Sequence, residues 1–144
     1  MIKKANVDDL NKIVMLASKL YGESDKNVLY KEFSEYVQRE DCLILLAEKE
    51  NVVMGFAHIA IRKDYVEGCD TFNVAYLEGV YVEETFRNKG LANRFIKAGI
   101  EWARLQNCTE FASDCELKNV DSIAFHKAVG FEEVNRIVCF KKKI

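Results

Sequence analysis

Tyr81-Val82-Glu83-Glu84-Thr85-Phe86-Arg87-Asn88-Lys89-Gly90-Leu91-Ala92 joins two segments of different period. Upstream, Val74 to Val82 is β-branched and apolar and reads as a buried strand; downstream, Leu91, Phe95, Ala98, Trp102 and Leu105 recur at helical spacing. A strand that passes through a polar, basic turn into an amphipathic helix leaves the first backbone N–H groups of that helix unpaired. Together with the helix dipole, those donors favour an anion such as a pyrophosphate. Gly90 and Ala92 carry little or no side chain, so a phosphate can approach the main chain there. Taken alone, Arg87 to Gly90 reads first as an exposed turn. The junction has neither G-x-G-x-x-G nor a glycine-rich G-K-[ST] loop, which sets aside dinucleotide and P-loop readings.

Outward from this junction the chain alternates between the two periods. Ile2 to Ala5 reads as a short strand, and Asn6 as the cap of a helix with apolar positions Leu10, Ile13, Val14, Ala17, Leu20 and Tyr21. Leu29, Phe33 and Val37, four apart, predict a second helix. Cys42 to Glu48 and Val52 to Arg62 flank Lys49-Glu50-Asn51 and predict an antiparallel hairpin. Glu110 to Cys115 reads as a strand, Val120 to Val129 as a helix ended by Gly130, and Phe131 onward as a final pair of strands. Hairpin, strand, helix, strand, helix, strands make a mixed α/β sheet with helices on its faces. Gly79, among Leu77, Val80 and Val82, marks either a bulge that opens the sheet for a ligand or a simple bend.

With 144 residues, 49% of them hydrophobic, the chain has room for one domain, and no linker or repeat divides it, so residues 1–144 are read as a single unit. The longest apolar runs are far short of a membrane span, and Met1-Ile2-Lys3-Lys4 leads into polar residues; a soluble, unprocessed protein of the cytoplasm is expected. Five cysteines without a C-x-x-C pair, and only two histidines, predict reduced thiols and no metal site. A net charge of −2 argues against nucleic acid as partner.

Arg87-Asn88-Lys89-Gly90-Leu91-Ala92 resembles the [QR]-x-x-G-x-[GA] motif of the GNAT family of acyl-CoA-dependent N-acetyltransferases, and Asn119 followed by Phe125 to Phe131 resembles that family's second cofactor segment. Ile61 to Asp70, Tyr76 to Val82 and Ala112-Ser113-Asp114 narrow the resemblance, which is good from Gly55 to Phe131, to the aminoglycoside 6'-N-acetyltransferases of bacterial antibiotic resistance. It implies a GNAT-type, mostly antiparallel sheet of about six to seven strands with about four helices. It also implies a homodimer, acetyl-CoA as co-substrate, and a cationic aminoglycoside as partner. Cofactor binding then falls to Gly79, Val80, Val82, Arg87, Asn88, Lys89, Gly90, Leu91, Ala92 and Asn119: the amides of Asn88 to Ala92 hold the pyrophosphate, and the backbone of Gly79 to Val82 pairs with pantetheine.

An alkylammonium ion has no lone pair, so the amine must lose a proton before it attacks a thioester. By the same resemblance Glu78 is the general base, acting through water, and Asp114, Asp70, Tyr21 and Tyr65 join it in binding the substrate. Without the resemblance Glu78 reads as an outward-facing solvated acid, and the two tyrosines equally as core. Many relatives place a tyrosine four residues before the glycine of the Gly-Phe pair to protonate the leaving thiolate; here His126 stands there, a candidate acid or a packed helix residue. The Val80 amide is the candidate oxyanion donor. A polyamine, another small amine or a protein amine is the alternative substrate, and a CoA-binding module without turnover the alternative class.

Overall fold

The computed structural model describes residues 1–144. Its sheet has five strands in the order β1 (Ile2–Lys4), β2 (Cys42–Lys49), β3 (Val52–Arg62), β4 (Val74–Val82) and β5 (Phe111–Ala112). Successive neighbours are antiparallel except β4 and β5, which are parallel. Four α-helices cover it: α1 (Leu10–Tyr21), α2 (Lys26–Tyr36), α3 (Leu91–Leu105) and α4 (Val120–Ala128). The expected class holds, but six to seven strands is corrected to five. Residues after Phe131 form neither helix nor strand, and no strand of this chain pairs with them. The strand expected over Glu110 to Cys115 shrinks to two residues, because β5 diverges from β4 after the pairing of Tyr76 with Ala112.

Alternation along the strands builds two cores. Leu43, Leu45, Ala57, Ile59, Ala75 and Leu77 face Phe95 and Ile96 of α3. Ile44, Leu46 and Phe56 face Ile13, Leu16 and Ala17 of α1 and Leu29 and Phe33 of α2. Each fully buried aliphatic or aromatic side chain contributes about 1.5–3 kcal/mol. The hairpin turns at Glu50 and Asn51, both at positive φ, with Lys49 paired to Val52, the geometry that suits the right-handed twist of the flanking strands. Asn6 caps a short 3-10 turn, Val7–Asp9, that leads into α1; Asp9 bonds back to the Asn6 amide and completes a capping box. All five cysteines are unpaired, and no helix is long and apolar enough to cross a membrane.

Candidate active site

In the ladder between β3 and β4, His58 faces Gly79 and Ile59 faces Leu77, so Glu78 has no partner across the ladder. It is the extra residue of a β-bulge. Leu77 and Val80 therefore pack on the α3 side, while Glu78 and Gly79 both turn toward α1 and α2. A Cβ at Gly79 would lie 2.3 Å from the Tyr21 hydroxyl oxygen and 3.0 Å from Leu20 Cδ2, so any larger residue there displaces the Tyr21 side chain.

Glu78 opens into a cavity of about 420 Å³ walled by Tyr21, Phe33, Tyr36 and His58, with Glu23 and Glu32 at its sides. Three carboxylates and several aromatic faces suit an organic cation. Burial, aided by Glu78, pushes the Tyr21 phenol up to about 12, so it stays a hydrogen-bond donor. Burial also holds His58 down to about 4, neutral in ordinary buffers. Toward the open end of the same face, Arg62 grips Glu78 with two hydrogen bonds, Nη2 to Oε1 at 2.7 Å and Nε to Oε2 at 2.9 Å. Its guanidinium lies 3.5 Å from the centre of the Tyr76 ring, and the Tyr76 hydroxyl donates to Asp114. Burial and that bond together raise the Tyr76 phenol. The two predicted acids are thus joined through Arg62 and Tyr76.

On its other edge β4 meets β5 only at Ala75 and Tyr76, which leaves the edge from Leu77 to Val82 without a strand partner. Where the strands part, Ser113 Oγ sits 3.5 Å from the Leu77 carbonyl and 2.7 Å from Nε2 of His126. His126 Nδ1 faces the Ser122 carbonyl at 2.7 Å. A carbonyl only accepts, so Nδ1 carries a proton, and Nε2 is left to exchange one with the Ser113 hydroxyl. At the far end of the free edge, Asn88 and Gly90 take left-handed backbone conformations, φ 61° and 81°, and Gly90 precedes α3 with no side chain capping the helix. Its first amides are open to an anion. Leu91 is buried beneath the turn, whereas Arg87, Asn88 and Lys89 are exposed; Arg87 Nε donates to the Val82 carbonyl at 2.8 Å.

A free strand edge running from a bulged carboxylate to an uncapped helix N-terminus offers a slot for an extended thioester carrier ending in a pyrophosphate. Residues 10–131 match the model of the acetyltransferase (GNAT) family. The chain belongs to the GNAT family. It is 37% identical over 143 residues, 99% of this chain and 98% of the relative, to the aminoglycoside N(6')-acetyltransferase type 1 of Acinetobacter haemolyticus. To the protein of the same name from Salmonella typhimurium it is 38% identical over 109 residues, 76% of this chain and 75% of the relative. Among solved structures it resembles AAC(6')-Iy in complex with the bisubstrate analog CoA-S-monomethyl-acetylneamine, with a TM-score of 0.94 at 33% identity over 100% of this chain and 98% of that one.

Within this GNAT fold the expected site residues divide. Glu78, Asp114 and Tyr21 gather on one face, and Gly79, Val80, Val82 and the Arg87 to Ala92 turn line one edge. Asn119 caps α4, accepting from the Ser122 amide at 3.1 Å. Asp70 and Tyr65 stand outside the cluster. The Asp70 amide donates to the Glu110 carboxylate, and the exposed Tyr65 donates to Glu67, because both lie in the loop between β3 and β4. Sequence reasoning missed Arg62, Tyr76, Ser113, Tyr36 and His58 as site residues. Period two from His58 through Ala60 to Arg62, and from Tyr76 to Glu78, is the signal that puts three of these side chains on one face with Glu78. No group of three or more His, Cys, Asp or Glu side chains gathers as a metal site.

Proposed function

We propose that this chain is an acetyl-CoA-dependent N-acetyltransferase whose substrate is the 6'-amino group of aminoglycosides. The observation that carries the reading is the bulge at Glu78: it presents a carboxylate to an acidic, aromatic cavity at the point where the edge of β4 becomes free for an acyl carrier. The named relatives and the bisubstrate complex support the choice of amine.

In this reading acetyl-CoA supplies the thioester. The amides of Asn88 to Ala92 hold its pyrophosphate, with Arg87 and Lys89 as counter-charges, and the edge of Gly79 to Val82 takes pantetheine as an added strand. Asn119 fixes the start of α4 beside that slot. Glu78 accepts the ammonium proton through water, freeing the lone pair that forms the new C–N bond as the C–S bond breaks. The Val80 amide donates to the carbonyl oxygen as charge builds there. Ser113 gives its hydroxyl proton to the departing thiolate and is refilled from Nε2 of a protonated His126, 2.7 Å away. Asp114 and the Tyr21 ring hold further parts of the polycation, with Tyr65 and Asp70 at the loop rim.

Glu78→Gln keeps the shape and removes the base. Thiol release on a 6'-amino aminoglycoside should slow about a hundredfold or more while acetyl-CoA binding stays near normal. Turnover at the wild-type rate would remove Glu78 from the mechanism. A second reading, a linear polyamine as substrate, is favoured by the three carboxylates Glu23, Glu32 and Glu78 spread along the cavity.

We further read the chain as one acetyltransferase domain working in the cytoplasm, without nucleic acid or membrane, as a homodimer. The tail supports the dimer: Ile137, Val138 and Phe140 are 69%, 77% and 91% exposed on a segment with no strand partner in its own chain. A second copy is the partner that covers these apolar side chains.

A further inference from the structure

Glu78 is asked for two things that conflict. A bare carboxylate attracts the cationic substrate, but a direct ion pair holds the amine as ammonium, the form with no lone pair to attack. Arg62 stands at that conflict. Its guanidinium already occupies both Glu78 oxygens, in the fork geometry that matches a carboxylate, and it is stacked on Tyr76, whose hydroxyl reaches the second acid, Asp114. The pair is only half-buried, with side-chain exposure of 43% for Arg62 and 22% for Glu78. It can therefore exchange with an incoming cation at modest cost.

We propose that Arg62 is a positioning residue that competes with the substrate ammonium for Glu78, so that the reacting amine is not trapped there as an ion pair. The inference rests on the acetyltransferase reading of this site. With Arg62 in place, the amine reaches Glu78 through water and gives up its proton along that path. The remaining ammonium groups of a polycation are held by Asp114 and by Glu23 and Glu32. An isolated amine has only Glu78 to bind and meets Arg62 there.

The test is steady-state thiol release with neomycin, together with calorimetric binding of neomycin, on wild type, Arg62→Gln and Arg62→Lys. A half-exposed ion pair corresponds to about a fivefold factor in binding. Arg62→Gln should therefore lower KM and the dissociation constant about fivefold and lower kcat by about as much, leaving kcat/KM nearly level. Arg62→Lys keeps the charge and should restore at least half of each change. A merely structural Arg62, or one that contacts substrate, gives the opposite sign: weaker neomycin binding in Arg62→Gln. That result, or unchanged KM and kcat, overturns the proposal. Should wild type bind neomycin without acetylating it, the functional reading fails, while the calorimetric comparison still decides whether Arg62 competes. A wild type that binds no neomycin overturns both.

Discussion

Replacing His58 with phenylalanine isolates the cost of a buried imidazole beside the site. His58 is 7% exposed, stacks on Tyr36 at 4.6 Å between ring centres, meets Phe33 edge-on, and leaves Nε2 without a partner. Burial holds its pKa at about 4, against an ordinary value near 6.5, although Glu78 pulls the other way. The unfolded chain therefore takes up this proton first as the pH falls. Stability is lost below about pH 6.5 and the loss levels off near pH 4, a total of about 3 kcal/mol, of which about 2 kcal/mol falls between pH 7 and pH 5. Phenylalanine keeps the stacking and carries no proton. At pH 7 it also removes an unpaired buried polar atom, a gain of about 1 kcal/mol. Urea denaturation of both proteins at pH 7 and pH 5 reads these terms, and other titrating groups cancel in the difference between them. Equal acid losses in wild type and His58→Phe, or a variant less stable at both pH values, would refute the reasoning.

Gly90→Val puts a β-branched residue at φ 81°, where about 1–2 kcal/mol of strain opens the turn before α3. Acetyl-CoA affinity by calorimetry should drop tenfold or more, and unchanged affinity would mean that the pyrophosphate sits elsewhere. Phe140→Asp places a charge on the exposed apolar tail and should shift the protein toward monomer in sedimentation velocity; a wild type that is already monomeric would refute the dimer.

The parts of the fold set by local period were legible in the sequence. The α1 and α3 stripes, the hairpin turn at Glu50 and Asn51, and the strand-to-helix junction at Gly90 all follow from residues within one or two turns of one another. Even the bulge was signalled by Gly79, although not that Glu78 would be the unpaired residue, since that depends on the register with β3. Features that depend on distant pairing were not legible. Apolar residues from Ile137 to Phe140 look like a strand, but period alone does not say whether its partner lies in the same chain. Glu110 to Cys115 has strand composition, yet it pairs for only two residues because β5 swings away from β4. The link from Glu78 through Arg62 and Tyr76 to Asp114 joins three segments, and nothing local to any one of them announces it. Asp70 and Tyr65 matched by resemblance, but the loop that carries them is held at Glu110 and Glu67, outside the carboxylate cluster.

The central claim is regiospecific acetyl transfer to a 6'-amine. Neomycin and paromomycin differ in carrying an amine or a hydroxyl at that position, so thiol release from acetyl-CoA with each, and with spermidine alongside, tests it most directly. Turnover on neomycin and not on paromomycin is the expected result. Equal turnover on both, or turnover on spermidine alone, would contradict it.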